Sequence, residues 1–190
     1  MSFQKKRKRN QSGLEASSMA YWTIRIIHDN PILPLVRNPY KILEAAGIKK
    51  GQTVFEVGCG PGFFTIPAAQ IVGGQGHVYA CDIQPRFVAR VKEKMEKEAL
   101  GNITPMCINA SNTGLPDKSV DLAFIFGLRY VAGGLDNVIL ELGRILKGQG
   151  ILSFEKTRGS EEKMVEDFEG RGFVYAGKQG RIFLFKKKGE

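Results

Sequence analysis

Two hydrophobic rhythms alternate along the chain. Short, nearly continuous β-branched and aromatic runs read as strands buried on both faces: Thr53–Val57, His77–Asp82, 103–108, 120–126 and 151–155. Between most of them the apolar residues recur every three or four positions, which predicts helices. These cover residues 39–46, 63–72, 85–99, 135–146 and 161–171. Gly47 closes the first of these as a C′ glycine, and Gly172 closes the last. An earlier helix is predicted over residues 17–29, where Met19, Trp22, Ile26 and Ile27 recur at helical spacing behind Ser17 or Ser18 as N-cap. Asn30-Pro31 and Leu33-Pro34 should break it. Residues 73–76 and 147–150 read as turns, and a polar loop containing Leu115-Pro116-Asp117 leads into the fourth strand. The last two strands, 173–176 and 181–185, are joined by residues 177–180 alone, so they must run antiparallel. The pattern predicts an α/β fold: a doubly wound, seven-stranded, mostly parallel sheet with a C-terminal antiparallel hairpin and helices on both faces.

Charge changes the picture at the ends only. The 190-residue chain carries a net +9, but residues 5–9 supply five of those charges, and residues 186–190 supply two more. The remainder is close to neutral. Residues 1–16 therefore read as a disordered basic tail, with nucleic acid as a partner it could reach. Residues 17–50 read as an N-terminal helical segment and 51–190 as one binding domain. No apolar run reaches the roughly 20 residues of a membrane span. Cys59, Cys81 and Cys107 are odd in number, and no C-x-x-C pair exists, so no metal site is expected and a reducing cytoplasm suits them.

The chemistry centres on Glu56-Val57-Gly58-Cys59-Gly60-Pro61-Gly62, where the first strand ends in alternating glycines and a helix begins. That is the geometry of a nucleotide-binding first βα unit. Glycines let the backbone turn sharply and leave no Cβ between it and a ligand. The spacing is G-x-G-x-G, and Phe63 stands where a dinucleotide fingerprint wants glycine. Glu56 would repel a pyrophosphate and attract an ammonium or sulfonium. S-adenosylmethionine, an adenosine joined to a cationic amino acid, meets both conditions. Asp82 lies 20 residues beyond Gly62 at the end of the second strand, where an acid meets ribose hydroxyls. It would also serve as the N-cap of the following helix.

These stretches resemble the class I S-adenosylmethionine-dependent methyltransferases, in particular their ubiquinone/menaquinone-biosynthesis-like branch. Glu56-x-Gly58-x-Gly60-x-Gly62 looks like their first motif, and residues 79–83 (Tyr-Ala-Cys-Asp-Ile) look like their second. Asn109-Ala110-Ser111, followed by Leu115-Pro116-Asp117 and Val120-Asp121, is similar to the third-strand region, although Asn109 stands where that branch has an acid. Residues 142–150 resemble the R-x-L-K-P-G-G stretch without its proline and one glycine. The seven-stranded, Rossmann-like layout is that family's too.

The resemblance implies that Glu56 and the amides of Gly58, Cys59, Gly60 and Gly62 take the methionine end. It implies further that Asp82 takes the ribose, Ile83 and Asn109-Ala110 flank the adenine, and Phe126 lies near the methionine part. The Asn109 oxygen would accept the bond an acid accepts from the adenine amino group. No universal catalytic residue is expected. The methyl acceptor is expected to be a small molecule. Alternatives are RNA or protein as acceptor, or a non-catalytic cofactor-binding partner subunit. For the acceptor side the candidates are Tyr21, Trp22 and His28, forming a lid that faces Arg129 and Tyr130; alternatively Trp22 and its neighbours are core for a docked helix. His28 or Tyr130 is the candidate general base. Asn38-Pro39-Tyr40 precedes the first strand, the wrong place for an amino-methyltransferase signature.

Overall fold

The computed structural model describes residues 18–30, 32–128, 131–157 and 159–189, with side chains from Tyr21 onward. The basic tail expected over residues 1–16 lies outside them. Among the described residues the helices are α1 (Ser18–His28), α2 (Leu33–Val36), α3 (Pro39–Ala45), α4 (Thr65–Val72), α5 (Pro85–Lys97), α6 (Leu135–Ile145) and α7 (Glu161–Glu169). The strands are β1 (Thr53–Val57), β2 (His77–Asp82), β3 (Ile103–Cys107), β4 (Val120–Ile125), β5 (Leu146–Glu155), β6 (Phe173–Gln179) and β7 (Ile182–Lys187). They form a seven-stranded sheet in the order β3-β2-β1-β4-β5-β7-β6. Neighbours from β3 to β5 run parallel, whereas β7 pairs antiparallel with both β5 and β6. The strand order reverses between β1 and β4, which opens a crevice at their carboxyl ends.

Alternation along the strands builds two cores. Val54, Val78, Ala80, Leu122 and Phe124 face one way and pack with Leu43, Phe64, Ala68, Val72 and Val91 of the α3–α5 side. Phe55, Val57, Ala123 and Ile125 face the other way, toward Val138, Leu142 and Ile145 of α6 and Phe168 of α7. Within β1, therefore, Glu56 shares the face of Val54 and looks toward α4.

Local chemistry explains most element ends. Asn38 caps α3 by accepting from the Lys41 amide, and Pro39 occupies its first turn, so the Asn38-Pro39-Tyr40 stretch is a helix start. At the other end, Ile48 N–H donates to the Leu43 carbonyl and Gly47 N–H to Glu44, with Gly47 at φ +89°. That is a Schellman close, and it requires the left-handed conformation glycine tolerates.

Three boundaries differ from expectation. Leu33-Pro34 starts the short α2 because proline is tolerated in a first turn. Residues 147–150 are absorbed into β5 as an irregularity, since the pairing jumps from Val120↔Leu146 to Leu122↔Ile151. The C-terminal pairing continues to Gln179↔Ile182, so the hairpin turns at Gly180-Arg181 while Gly177 lies within the paired strand.

Phe168 anchors α7 to the antiparallel end of the sheet. It is fully buried, stacked on Phe185 at 4.4 Å and edge-on to Phe154 at 5.2 Å. Phe168→Ala should lower the unfolding free energy by about 3–5 kcal/mol, read from the shift of the urea midpoint. A loss below about 1 kcal/mol would show that α7 is not part of the cooperative core.

Candidate active site

The glycine turn leaves β1 and is held by β2. Gly58 and Cys59 N–H both donate to the Cys81 carbonyl, at 2.8 and 2.9 Å. Gly60 N–H donates to Asp82 Oδ2 at 3.0 Å, and Gln84 N–H donates to Asp82 Oδ1 at 2.8 Å. One carboxylate thus ties the glycine turn to the start of α5. The N-cap of α5 is Gln84, not Asp82. The Ile83 amide also bears on this carboxylate, which has about four acceptor positions in all. Gly58, Gly60 and Gly62 all have positive φ, at 72°, 51° and 88°, which L side chains rarely adopt. At Gly58 a Cβ would lie only 2.7 Å from a methyl of Leu128.

The turn's own amides are spoken for. Gly62 N–H donates to the Cys59 carbonyl at 3.0 Å, so the amides of Gly58, Cys59, Gly60 and Gly62 all have partners within the protein. These are the four amides that the resemblance assigns to the methionine end. A pyrophosphate would find few donors here as well.

Two acids sit under the turn. Glu56 is 2% exposed and accepts from Thr65 Oγ1 at 2.6 Å. Burial raises its pKa to about 8; the Thr65 hydroxyl pulls it down and the Asp82 charge adds to the rise. Asp82 is also pushed up by burial, against the pull of the Gln84, Gly60 and Ile83 amides. Burial lifts the Cys59 thiol well above its usual range and the Cys81 thiol to about 12, so neither is a nucleophile near neutral pH.

The other predicted residues divide. Ile83 is half-buried directly after β2. Ala110 belongs to the core with Val57 and Cys81. Asn109 Oδ1 accepts from both the N–H and the Oγ of Ser111, at 3.0 Å each, so an adenine amino group finds no lone pair there. The cause is local: this short amide closes its own turn. Phe126 is buried against Phe124 and Phe64, with ring centroids 4.8 and 5.4 Å away. His28 ends α1 above the turn, its ring 5.6 Å from Phe63 and its Nδ1 3.9 Å from where a Gly60 Cβ would lie. Burial, then Arg37 and Lys94, lower its pKa, so it is neutral near pH 7. Tyr21 packs on Phe87 at 5.1 Å. Trp22 is 51% exposed, so it is not core for a docked helix. Arg129 and Tyr130 lie outside the described residues.

Sequence reasoning missed Thr65, Leu128 and the Arg37–Glu155 pair. Thr65 had a signal, being the single polar residue in the run 63–69. Glu155, at the end of β5, accepts from Gly127 N–H at 2.8 Å and from Arg37 at 2.5 Å, bracing the chain after β4.

Residues 54–150 match the methyltransferase domain family. The chain belongs to that family. It is 35% identical over 119 residues to the ubiquinone/menaquinone biosynthesis C-methyltransferase of Pseudoalteromonas translucida, matching 60% of this chain and 47% of that protein. It is 38% identical over 72 residues to the aklanonic acid methyltransferase of Streptomyces sp., matching 38% of this chain and 33% of that one. The matches thus span half or less of the relatives' length. The crystal structure of a SAM-dependent methyltransferase from Aquifex aeolicus superposes with TM-score 0.75 at 26% identity, covering 88% of this chain and 97% of that one. S-adenosylmethionine is the cofactor, and the donor set fits it: two acids, a glycine turn without a Cβ barrier, and no basic side chain in the turn to hold phosphate.

Glu56 makes one property testable. Its proton leaves near pH 4.5 when solvated and near 8 in the fold, so between those values the folded chain keeps a proton that the unfolded chain has lost. Stability should therefore fall as pH rises through that window. Glu56→Gln keeps the acceptor for Thr65 but cannot ionise. Its melting temperature relative to the wild type should rise steadily from pH 5 to pH 8; a pH-independent difference would contradict the assignment.

Proposed function

We propose that this chain transfers a methyl group from S-adenosylmethionine to a small organic acceptor. The observation that carries the reading is the Asp82 carboxylate, bonded to the Gly60 amide at the carboxyl ends of β1 and β2, beside the β1–β4 crevice, and able to accept from ribose hydroxyls. The cofactor supplies a methyl carbon already activated by its sulfonium.

The chain's own residues bind, orient and exclude water. Glu56 offers a buried carboxyl that gives up its proton beside the cationic amino-acid end, whose charge favours the ionised form. The Cβ-free turn allows that end to lie close, and Ile83 gives the adenine an apolar contact. Adenine recognition falls to that contact and to backbone groups, because Asn109 is engaged with Ser111. His28, neutral above Gly60, covers the turn and is the base available to an acceptor proton. Tyr21 on Phe87 and the salt bridges of Asp29 to Arg90 and Lys94, at 3.1 and 2.7 Å, hold α1 in that position as a lid. A small acceptor is supported by the near-neutral body of the chain and by relatives named for ubiquinone/menaquinone biosynthesis and aklanonic acid. Three unpaired cysteines suit a cytoplasmic setting.

Calorimetric titration with S-adenosylmethionine, S-adenosylhomocysteine and NAD tests the reading. The first two should bind and NAD should not. Asp82→Ala should weaken both by about 10- to 100-fold, the worth of losing charge-assisted hydrogen bonds. Unchanged affinity in that variant would refute the ribose assignment, and binding of NAD alone would overturn the function.

A further inference from the structure

Helix α1 is amphipathic with its sides reversed. Tyr21, Arg25 and His28 turn toward the body. Tyr21 meets Phe87, His28 meets Phe63, and Asp29, just past the helix end, binds Arg90 and Lys94 of α5. Arg25 reaches Asp29 at 3.6 Å and lies over the Trp22 ring at 5.0 Å. The stripe expected to anchor the helix faces solvent instead. Trp22 is 51% exposed, Ile26 67% and Ile27 50%. The exposure continues past the Asp29-Asn30 turn, where Ile32, Leu35 and Val36 are 61%, 83% and 83% exposed. With Ile24 at 37%, seven exposed large apolar side chains within residues 22–36 are far from the scattered single exposures normal on a protein surface.

Charge says what covers them. The strongest basic run of the sequence, residues 5–9, ends nine positions before Ser18, within about 30 Å of chain at full extension. A second copy of the chain on this face would bring two such runs together and be repelled. A nucleic acid would satisfy the cations but has no use for isoleucine and leucine at the surface. An anionic bilayer satisfies both, since apolar side chains and an interfacial tryptophan enter the headgroup boundary while basic residues meet lipid charge. Among the described residues no helix is long and apolar enough to cross a membrane, so the contact is peripheral.

We propose that the outward face of α1 together with residues 32–36 docks this chain on an anionic lipid surface. In that arrangement the lid of the crevice rests at the membrane, and an acceptor dissolved there reaches the site without crossing water. The docking surface itself does not depend on the methyltransferase reading.

Co-sedimentation of the full chain with phosphatidylcholine vesicles, with and without phosphatidylglycerol, tests this. Binding should require the anionic lipid and fall with added salt. Ile26→Ser/Leu35→Ser should weaken it by about tenfold or more through lost apolar burial, with no drop in melting temperature because both sites are exposed. Replacing the five basic residues 5–9 by glutamine should remove the preference for phosphatidylglycerol. The proposal is overturned if neither vesicle binds, or if binding ignores the apolar substitutions. It is also overturned if the wild type is a dimer in vesicle-free solution that the double variant disperses, or if residues 5–9 bind RNA and not vesicles.

Discussion

The Asp82 carboxylate is the constraint on which the crevice depends. A glycine turn has little conformational preference of its own, and three positive-φ residues in five positions would wander without an external tie. Asp82 provides it through backbone donors alone, one from the turn and one from the entry to α5. The same carboxylate faces the place where a ribose would lie. In the proposed function shape and ribose binding rest on one side chain, and burial already raises the cost of keeping it charged. A ligand that brings hydroxyl donors would relieve that cost.

Beneath it the fold buries a second acid, which burial keeps protonated near neutral pH. Glu56 lies on the α4 face of β1 with one side-chain donor, Thr65, and Asp82 as an acidic neighbour. Such a group contributes nothing to the stability of the free protein near neutral pH that an amide would not. Its presence is explained by what it offers a cationic ligand. The buried thiols of Cys59 and Cys81 are the opposite case: small apolar fillers whose reactivity burial has suppressed.

Much of this was legible in the chain. Strands buried on both faces announce themselves as unbroken apolar runs, so β1 and β2 were read with their observed ends. The glycine spacing and Asp82 were legible because backbone conformation and strand-end position depend on residue type. Irregularities were not: the break in β5 pairing and the hairpin at Gly180-Arg181 depend on register, which local sequence does not carry. That Asn109 closes its own turn with Ser111 was not legible, because an amide oxygen read from sequence carries no record of its local partners. Helix α1 misled because periodicity reports which residues share a side and not which side faces inward. There Tyr21, His28 and the ion pairs of Asp29, not the apolar stripe, meet the body.

Asp82, at the end of β2, is proposed to hold the cofactor where it lies at the carboxyl ends of β1 and its neighbours. The most direct measurement is a crystal structure of the chain with S-adenosylhomocysteine. It should show the ribose hydroxyls within about 2.6–3.2 Å of the Asp82 oxygens. The amino-acid end should lie over the glycine turn, with Leu128 moved off Gly58. A ligand whose ribose has no contact with Asp82, or one bound away from the carboxyl ends of β1, β2 and β4, would contradict this.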